Sequence, residues 1–362
     1  MTRPPSPPEK GRGATITPQN RFEQHKREAV DDGWDSPATD QDDTPAPLKT
    51  TVTIQLSRSI LTRNRSPDIP FEQSLNPYQG CEHGCVYCYA RPSHAYLDLS
   101  PGLDFESRLF AKPNAAELLR AELGKPGYIC TPIALGGNTD CYQPIERDYK
   151  ITRSILEVLN ECHHPLGLVT KSGLVERDID ILSDMAKKNL VRVYFSVTTL
   201  DKVLARRMEP RAATPLRRLE AMKNLSDAGI PVGVMVAPVI PQLNDKYLEA
   251  ILEAAAAAGA RSAGYVLLRL PLEVKELFGD WLQQHYPLRA EHVMSLIRQM
   301  RGGKEYDAEW GTRMRGTGEF ADLIEQRFRK ACARFGLNQN RKSVDVTQFR
   351  KPKLDGQMDL FA

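Results

Sequence analysis

The chain has 362 residues and a formal net charge of +3, from 49 lysines and arginines against 46 aspartates and glutamates. A charge this close to zero gives no general argument for binding a polyanion, so a nucleic-acid function must rest on local features. The longest apolar runs, such as IPVGVMVAPVI at 230–240, fall short of the roughly 20 residues that cross a bilayer. The first residues also lack the apolar region of a secretory signal. We therefore expect a soluble, cytoplasmic protein without a membrane partner.

In chain order, the composition changes several times. Residues 1–47 are rich in Pro, Asp, Thr and Arg and show little apolar periodicity, which predicts a disordered N-terminal arm. Residues 48–286 form the predicted core, and 287–337 contain further helical patterns that predict a C-terminal helical extension. Residues 338–362 are polar and basic, so we expect a flexible tail.

The core alternates between short β-branched runs and longer helical patterns, beginning with TVTIQL at 51–56 as its first strand. Such βα alternation with short connections predicts an α/β fold with a parallel sheet. About six strands are too few for a closed eight-stranded barrel, so either an open doubly wound sheet or a partial barrel fits the pattern. In both, chemistry gathers at the carboxyl ends of the strands.

Three of the seven cysteines lie within eight residues, in the segment NPYQGCEHGCVYCYARPSHAY, which we place on the loop after the first strand. Cys81, Cys85 and Cys88 form the pattern C-x3-C-x2-C, and no fourth cysteine stands nearby. Three thiolates can hold three irons of a 4Fe-4S cluster and leave the fourth iron open for a small molecule. The alternatives are a zinc site completed by His83 or His94, and a redox or chance cluster. The spacing favours the iron–sulfur cluster, because His83 lies too tightly between two ligands.

This spacing, with Tyr87 directly before the last cysteine, resembles the radical S-adenosylmethionine (SAM) superfamily. The six-strand alternation is similar to the partial (β/α)6 barrel of that superfamily. The resemblance implies that SAM binds the open iron and is reductively cleaved to methionine and a 5′-deoxyadenosyl radical, which abstracts hydrogen from a substrate. It also implies an electron donor such as flavodoxin or ferredoxin.

Segments after the later strands are similar to those of the spore photoproduct lyases, a DNA-repair group within the superfamily. The glycines of LGGNTD allow the close backbone approach that the methionine amino group needs. The tyrosines of the cysteine segment match a radical relay, and the one before the last cysteine would equally serve to pack the adenine. The resemblance implies these SAM-binding residues: Tyr87, Gly136, Gly137, Thr139, Lys171, Ser196 and Ala237.

One position departs from the photoproduct-lyase pattern. The hydrogen-donating cysteine of those enzymes stands three residues before an aspartate, where this chain has Gly137 before Asp140. Cys141 follows that aspartate and is our candidate for the missing donor, although its side chain would leave the loop in a different direction. Tyr89 is the second candidate catalytic residue, as a member of the relay.

Three functions stay open on the sequence alone. The first is a radical SAM enzyme that acts on DNA, in which arginines near the fourth helix could form a phosphate-binding rim. The second is a radical SAM enzyme that modifies a protein, an RNA or a small molecule. The third is a non-catalytic zinc or iron–sulfur scaffold. The arginines in question are Arg206, Arg207, Arg211, Arg217 and Arg218.

The C-terminal pentapeptide QMDLF, Gln357–Phe361, stands out in an otherwise polar tail. It resembles the motif by which bacterial replication and repair proteins bind the DNA polymerase sliding clamp. Short motifs of this build dock side chains into a preformed groove on a partner. The alternative is that Leu360 and Phe361 fold back onto the core of their own chain.

Overall fold

The computed structural model describes residues 10–23, 48–339 and 342–352. The strands in this part of the chain are β1 (Thr51–Ile54), β2 (Leu61–Arg63), β3 (Gln73–Leu75), β4 (Tyr78–Gln79), β5 (Arg108–Ala111), β6 (Ile133–Leu135), β7 (Leu166–Thr170), β8 (Val191–Ser196), β9 (Val232–Val239) and β10 (Ser262–Leu267). The helices are α1 (Asp104–Ser107), α2 (Ala115–Gly124), α3 (Glu146–Tyr149), α4 (Ile151–Glu161), α5 (Ile179–Lys187), α6 (Lys202–Met208), α7 (Pro215–Asp227), α8 (Leu248–Ala257), α9 (Val274–His285), α10 (Pro287–Gln299) and α11 (Glu319–Arg334), with 3₁₀ turns at Arg91–Leu97, Gly173–Asp178 and Asp245–Tyr247.

The main sheet has seven strands in the order β10-β9-β8-β7-β6-β3-β2. Six strands of this sheet run parallel to one another, and β2 is antiparallel at the edge. The parallel strands are β3, β6, β7, β8, β9 and β10. In the described part of the chain, β10 and β2 do not pair with each other, so the sheet stays open. The predicted α/β fold with six parallel strands is confirmed.

Several helices and strands form where the sequence patterns predict them, and the physical reasons are ordinary ones. The β-branched strands bury their side chains, as β8 does along VRVYFS, and α4 buries one apolar face that includes Ile155 and Leu159. Gly229 and Gly259 follow α7 and α8 with φ of +79° and +94°. This is the left-handed conformation that ends a helix with least strain when the residue is glycine.

The predicted first strand does not belong to the main sheet. β1 pairs with β5, which also pairs with β4, in a separate three-stranded sheet. The first parallel strand of the main sheet is β3, whose sequence is only QSL. Gln73 is buried there, and its polar side chain has hydrogen-bond partners: its amide nitrogen donates to the Thr131 hydroxyl at 2.9 Å, and its oxygen accepts from the Tyr128 hydroxyl at 3.0 Å. A short polar strand has no period-2 pattern, so the sequence could not indicate it.

Parts of both termini pack against the core, which differs from the expected disordered arm and flexible tail. Within residues 10–23, Ala14 is buried and Arg21 pairs with Glu273 at 2.8 Å. Within residues 342–352, the Arg350 amide donates to the Cys162 carbonyl at 2.9 Å, and Phe349 contacts aromatic rings of the core. Specific bonds to the core offset the conformational entropy that these segments lose on ordering, and amino-acid composition does not reveal such bonds. The pentapeptide Gln357–Phe361 lies outside the described residues.

None of the described helices has the length and apolar character needed to cross a membrane.

Candidate functional site

The cysteine segment lies on the loop that follows β3 and β4, at the carboxyl edge of the main sheet. Cys81 and Cys85 are buried, Cys88 is half-buried, and all three are free thiols. The backbone of the loop is held by distant segments: the Cys81 amide donates to the Phe105 carbonyl at 2.9 Å, and the Val86 amide to the Met208 carbonyl at 3.1 Å. The three thiols are therefore presented by a loop with a fixed backbone.

The electrostatic surroundings of these thiols fit a cationic ligand. Burial raises the pKa of Cys81, and Asp140 and the two other thiols of the motif raise it further. Burial raises the pKa of Cys85 to about 12, although Lys171 opposes this shift. Thiolates are the form that binds metal, so a positively charged iron cluster would supply the compensation that their surroundings lack.

A zinc site is not supported by the geometry. Among the residues that the structure describes, no three Cys, His, Asp or Glu side chains converge on one metal ion, whereas zinc needs four ligands around a single point. His83 Nδ1 instead lies 3.3 Å from an Asp140 carboxylate oxygen, and His94 Nε2 bonds the Arg108 carbonyl at 2.9 Å. An iron–sulfur cluster distributes its thiolate ligands over separate irons, so it does not require that convergence.

Two side chains after β6 fasten the start of the cysteine loop. Gln143 is fully buried; its oxygen accepts from the Glu82 amide at 2.8 Å, and its nitrogen donates to the Gly80 carbonyl at 3.2 Å. The Thr139 hydroxyl donates to the same Gly80 carbonyl at 2.6 Å. Thr139, which the sequence predicts near SAM, is thus bonded to the backbone of the loop that carries the cysteines.

Asp140 joins the ends of β6 and β7 to the loop. Its carboxylate accepts from the Thr170 hydroxyl and from the Lys171 amide, each at 2.7 Å. Burial alone would raise the pKa of Asp140, but His83 and these donors outweigh it and lower the pKa to about 2. Asp140 is therefore a stable anion at neutral pH beside the thiols.

Beneath the loop lies a buried network centred on Glu209, which the sequence analysis missed. The Glu209 carboxylate accepts from the Tyr87 hydroxyl and, at 3.0 Å, from the Thr198 hydroxyl. It also pairs with Arg218, which donates to the Ser196 carbonyl at 2.7 Å. The available signal was a glutamate directly after a helix in MEPRAATPLRRLEAM, but nothing local shows which residue it meets.

Most of the predicted SAM contacts lie at the carboxyl ends of the strands. Lys171 follows β7, with its ammonium 5.9 Å from the centre of the Tyr87 ring. The Ser196 hydroxyl, at the end of β8, donates to the Ala237 carbonyl of β9 at 3.1 Å. Gly136 has a φ of +90°, and a Cβ at this position would lie 2.9 Å from the Val169 carbonyl oxygen. The strand ends thus bring together residues that are distant in the sequence, such as Ser196 and Ala237, which are 41 positions apart.

Comparison with known proteins decides the family. The family model for the Radical SAM superfamily matches residues 75–255, half of the chain. The chain belongs to the radical SAM superfamily. An uncharacterised protein of Mycobacterium tuberculosis is 37% identical over 233 residues, which cover 64% of this chain and 68% of that protein. One of Methanocaldococcus jannaschii is 29% identical over 213 residues, covering 59% of this chain and 76% of that protein.

Solved structures of spore photoproduct lyase share the fold of this radical SAM chain. Spore photoproduct lyase complexed with dinucleoside spore photoproduct superposes with a TM-score of 0.57 at 16% identity, covering 79% of this chain and 80% of that one. A variant of that lyase with bound AdoMet and the same dinucleoside gives a TM-score of 0.55 at 17% identity over the same shares. At this level of identity the similarity establishes the architecture.

As a radical SAM enzyme, the protein uses a 4Fe-4S cluster and SAM. When bound, this cofactor pair supplies a 5′-deoxyadenosyl radical, while the protein contributes binding, orientation and shielding from water. The donor set fits this cofactor, because three free thiols lie on one loop near the cationic side chains of Lys171 and Arg218.

The two candidate catalytic residues of the radical SAM chain lie in different surroundings. Cys141 has no exposed surface, and burial raises its pKa, with Asp140 and Glu146 adding to the shift. Tyr89 is 47% exposed, and its hydroxyl donates to the Gly137 carbonyl. Of the two, Tyr89 is the side chain with a surface that a substrate can reach.

A segment near the N-terminus covers the cysteine loop, and the sequence analysis missed this too. The Gly13 and Ala14 amides donate to the buried Glu106 carboxylate at 2.9 and 2.8 Å. Glu106 pairs with Arg91 at 2.7 Å, and Arg91 donates to the Cys85 carbonyl at 2.9 Å. These bonds link the N-terminal segment to the backbone of Cys85, one of the three cysteines of the C-x3-C-x2-C pattern.

The predicted phosphate-binding rim is not formed as expected. Arg218 is buried with Glu209, Arg217 pairs with Glu176, and Arg211 pairs with Glu82 at 2.9 Å. Carboxylates therefore already neutralise three of the five predicted arginines. The sequence shows that this region carries many arginines, but it does not show which carboxylates from other parts of the chain will pair with them.

Proposed function

We propose that this radical SAM enzyme holds its 4Fe-4S cluster through Cys81, Cys85 and Cys88 and acts on DNA in a repair-type reaction. The observation that carries the cluster assignment is the group of three free, largely buried thiols on a loop whose backbone distant segments hold in place. A three-point ligand set with one open iron leaves room for SAM, which matches the chemistry of the superfamily.

In this proposal, the SAM molecule lies across the strand ends beside the cysteine loop. Lys171 and Ser196 are positioned to hold its carboxylate, together with Thr139, and the backbone at Gly136 and Gly137 receives its amino group. Lys171 remains a cation there: burial lowers its pKa, but Cys85 and Glu209 outweigh burial and raise it. The adenine is assigned to Tyr87 and Ala237.

The DNA half of the proposal is supported by fold. Spore photoproduct lyase, which shares this architecture, has been solved with a dinucleoside spore photoproduct. Tyr89, exposed beside the last cysteine, is assigned to the substrate side, and Cys141 is the candidate hydrogen donor in place of the cysteine that Gly137 replaces. The reaction is proposed to occur in the cytoplasm, with flavodoxin or ferredoxin as the electron donor.

Anaerobic reconstitution tests the cluster assignment. Cys81→Ala, Cys85→Ala and Cys88→Ala are each expected to lose the iron chromophore and the formation of 5′-deoxyadenosine from SAM with dithionite. Cys130→Ala is the matched control, because Cys130 is half-buried like Cys88 and lies outside the motif. Full iron content in any of the three motif variants would contradict the assignment.

The DNA assignment is tested by coupling. We expect ultraviolet-irradiated DNA to increase 5′-deoxyadenosine formation, or to become altered with SAM present, whereas a protein extract or an RNA does not have this effect. An enzyme that cleaves SAM but responds to RNA, protein or a small molecule, and not to DNA, would retain the cluster assignment and refute the DNA substrate.

We also propose that Gln357–Phe361 tethers the enzyme to the sliding clamp. The proposal rests on the pentapeptide itself, which lies outside the described residues. A peptide spanning 353–362 is expected to bind the purified clamp at micromolar strength or tighter, and the double change Leu360→Ala with Phe361→Ala is expected to abolish binding. If the intact protein does not bind the clamp, this partner is wrong.

A further inference from the structure

Arg269 lies at the carboxyl edge of the sheet, and no described residue of opposite charge pairs with it. It follows β10 by two residues, and its guanidinium carbon is 5.4 Å from the centre of the Tyr89 ring. Nη2 donates to the Tyr306 hydroxyl at 3.3 Å, and Nη1 lies 3.6 Å from the Met314 sulfur. Nε is buried and has no hydrogen-bond partner among the described residues. Within the described residues, these three contacts of the half-buried cation are all to uncharged groups.

Two other partly buried arginines of this chain, unlike Arg269, have carboxylate partners. Arg21 pairs with Glu273, and Arg313 binds Asp68 through two nitrogens at 2.7 and 2.6 Å. A guanidinium removed from water without an anion costs free energy, since its desolvation is not compensated. Arg269 thus retains an uncompensated positive charge and unused N–H donors for a ligand.

A second guanidinium strengthens the positive field at this place. Arg301 is buried, and its nitrogens donate to the carbonyls of Leu268 at 2.9 Å and of Thr312 at 3.0 Å. Burial lowers the pKa of Arg301; Asp307 opposes burial, and Arg269 lowers the pKa further. Asp307 thus offsets part of the positive charge at this place, and a bound anion would compensate the rest.

The loop at 301–318, which brings Tyr306 and Met314 to Arg269, also carries a flat aromatic surface. Trp310 is 63% exposed, although the backbone around it is anchored. The Gly311 amide donates to Asp68 at 3.4 Å, and the Leu267 amide at the end of β10 donates to the Met314 carbonyl at 3.0 Å. An indole held on a fixed backbone, yet facing solvent, is suited to stacking on a planar ring.

We propose that Arg269 binds a phosphodiester group of a nucleic-acid substrate beside Tyr89, and that Trp310 stacks on one of its bases. This inference rests on the proposed function and specifies how the substrate is held. A guanidinium matches phosphate geometry through paired N–H donors, and exposed aromatics bind unpaired bases without regard to sequence. The combination favours a single strand, or a base turned out of a duplex, over an acidic peptide.

The test measures binding by the complete enzyme, purified anaerobically with its cluster, to a fluorescein-labelled single-stranded DNA of 12 nucleotides. Fluorescence anisotropy at several salt concentrations gives the affinity and its salt slope. Arg269→Gln is expected to weaken binding and to lower the salt slope by about 0.7, the value for one phosphate contact on a single strand. Trp310→Ala is expected to weaken binding about tenfold with an unchanged slope, as for one lost stacked base.

Two further variants guard against a folding defect. Arg269→Lys keeps the charge and loses the paired donors, so its affinity is expected between those of the wild type and Arg269→Gln. Arg329→Gln removes an equal charge from the exposed face of α11 and is expected to leave affinity and slope unchanged. Equal losses in Arg329→Gln and Arg269→Gln would overturn the inference.

Competition identifies the ligand class. Displacement of the labelled strand by unlabelled single-stranded DNA at micromolar concentration, and not by inorganic phosphate or a polyglutamate peptide at equal concentration, would support the inference. Displacement by phosphate or polyglutamate at those concentrations would overturn it. A wild-type enzyme that cleaves SAM but does not bind the oligonucleotide overturns this inference alone, whereas the absence of SAM cleavage refutes the proposed function.

Discussion

Glu209→Gln tests the buried charge pair beneath the cysteine loop. Glutamine has nearly the shape of glutamate, and its oxygen can still accept from the Tyr87 or Thr198 hydroxyl. The negative charge is lost, however, and Arg218 is left as a buried cation without its carboxylate partner. The substitution therefore isolates the charge of Glu209 from its volume.

The structure sets the size of the expected effect. Removing one member of a buried ion pair costs about 3 to 5 kcal/mol, because the remaining charge is not compensated. Arg218 keeps its bonds to the Ser196 and Ala213 carbonyls, at 2.7 and 2.8 Å, which stabilise its position after the change. We therefore expect the lower end, a loss of about 3 kcal/mol in the free energy of unfolding.

Urea unfolding of the cluster-free protein in reducing buffer measures this loss. Glu220→Gln is the matched control, because Glu220 also faces an arginine, Arg217 at 3.4 Å, but its side chain is 65% exposed. An exposed pair contributes little, so the control is expected to lose less than about 1 kcal/mol. The double variant Glu209→Gln with Arg218→Met should recover part of the stability, since it leaves no unpaired charge.

Equal losses for Glu209→Gln and Glu220→Gln would refute the reasoning, because burial would then make no difference to the pair. A double variant as unstable as the sum of its two single changes would refute it as well, because the two charges would then act independently.

Three more predictions concern other parts of the structure. Burial lowers the pKa of His164 from 6.5 to about 4. The neutral ring therefore stabilises the fold above pH 6.5, and this contribution to the free energy of unfolding, about 3 kcal/mol, is lost as the pH falls toward 4. In urea unfolding at pH 7 and pH 5, His164→Gln should flatten the pH dependence of that free energy, and an unchanged dependence would contradict the prediction. A Cβ at Gly13 would lie 1.7 Å from the Gly84 carbonyl oxygen. Gly13→Val should therefore displace the N-terminal segment and hasten bleaching of the cluster in air, whereas Gly127→Val, whose side chain would enter open space, should not. Equal bleaching rates in the two variants would show that the segment does not protect the cluster. Cys141→Ala should preserve SAM cleavage but impair substrate turnover, and simultaneous loss of both would identify Cys141 as structural.

The fold was predictable, and the cysteine spacing could be recognised, because both signals are local. The C-x3-C-x2-C spacing lies within eight residues, and the βα alternation follows from the burial of β-branched strands and amphipathic helices within short windows. The glycines that end α7 and α8 mark helix ends for an equally local reason, their left-handed φ. The short strand β3, at 73–75, was missed because its polar residues are buried only through bonds to a distant segment.

The partners of the charged residues were decided only by the tertiary structure. Glu209 meets Tyr87 across 122 positions, and Gly13 meets Glu106 across 93, so no local pattern connects them. Whether an arginine is solvated, paired or left for a ligand depends on which carboxylates the fold places beside it, as the contrast between Arg218 and Arg269 illustrates. Local sequence thus determined which chemistry the chain carries, because ligand spacing and periodicity are short-range. The packing of distant segments determined where each charge is neutralised, because desolvation and ion pairing depend on neighbours in space.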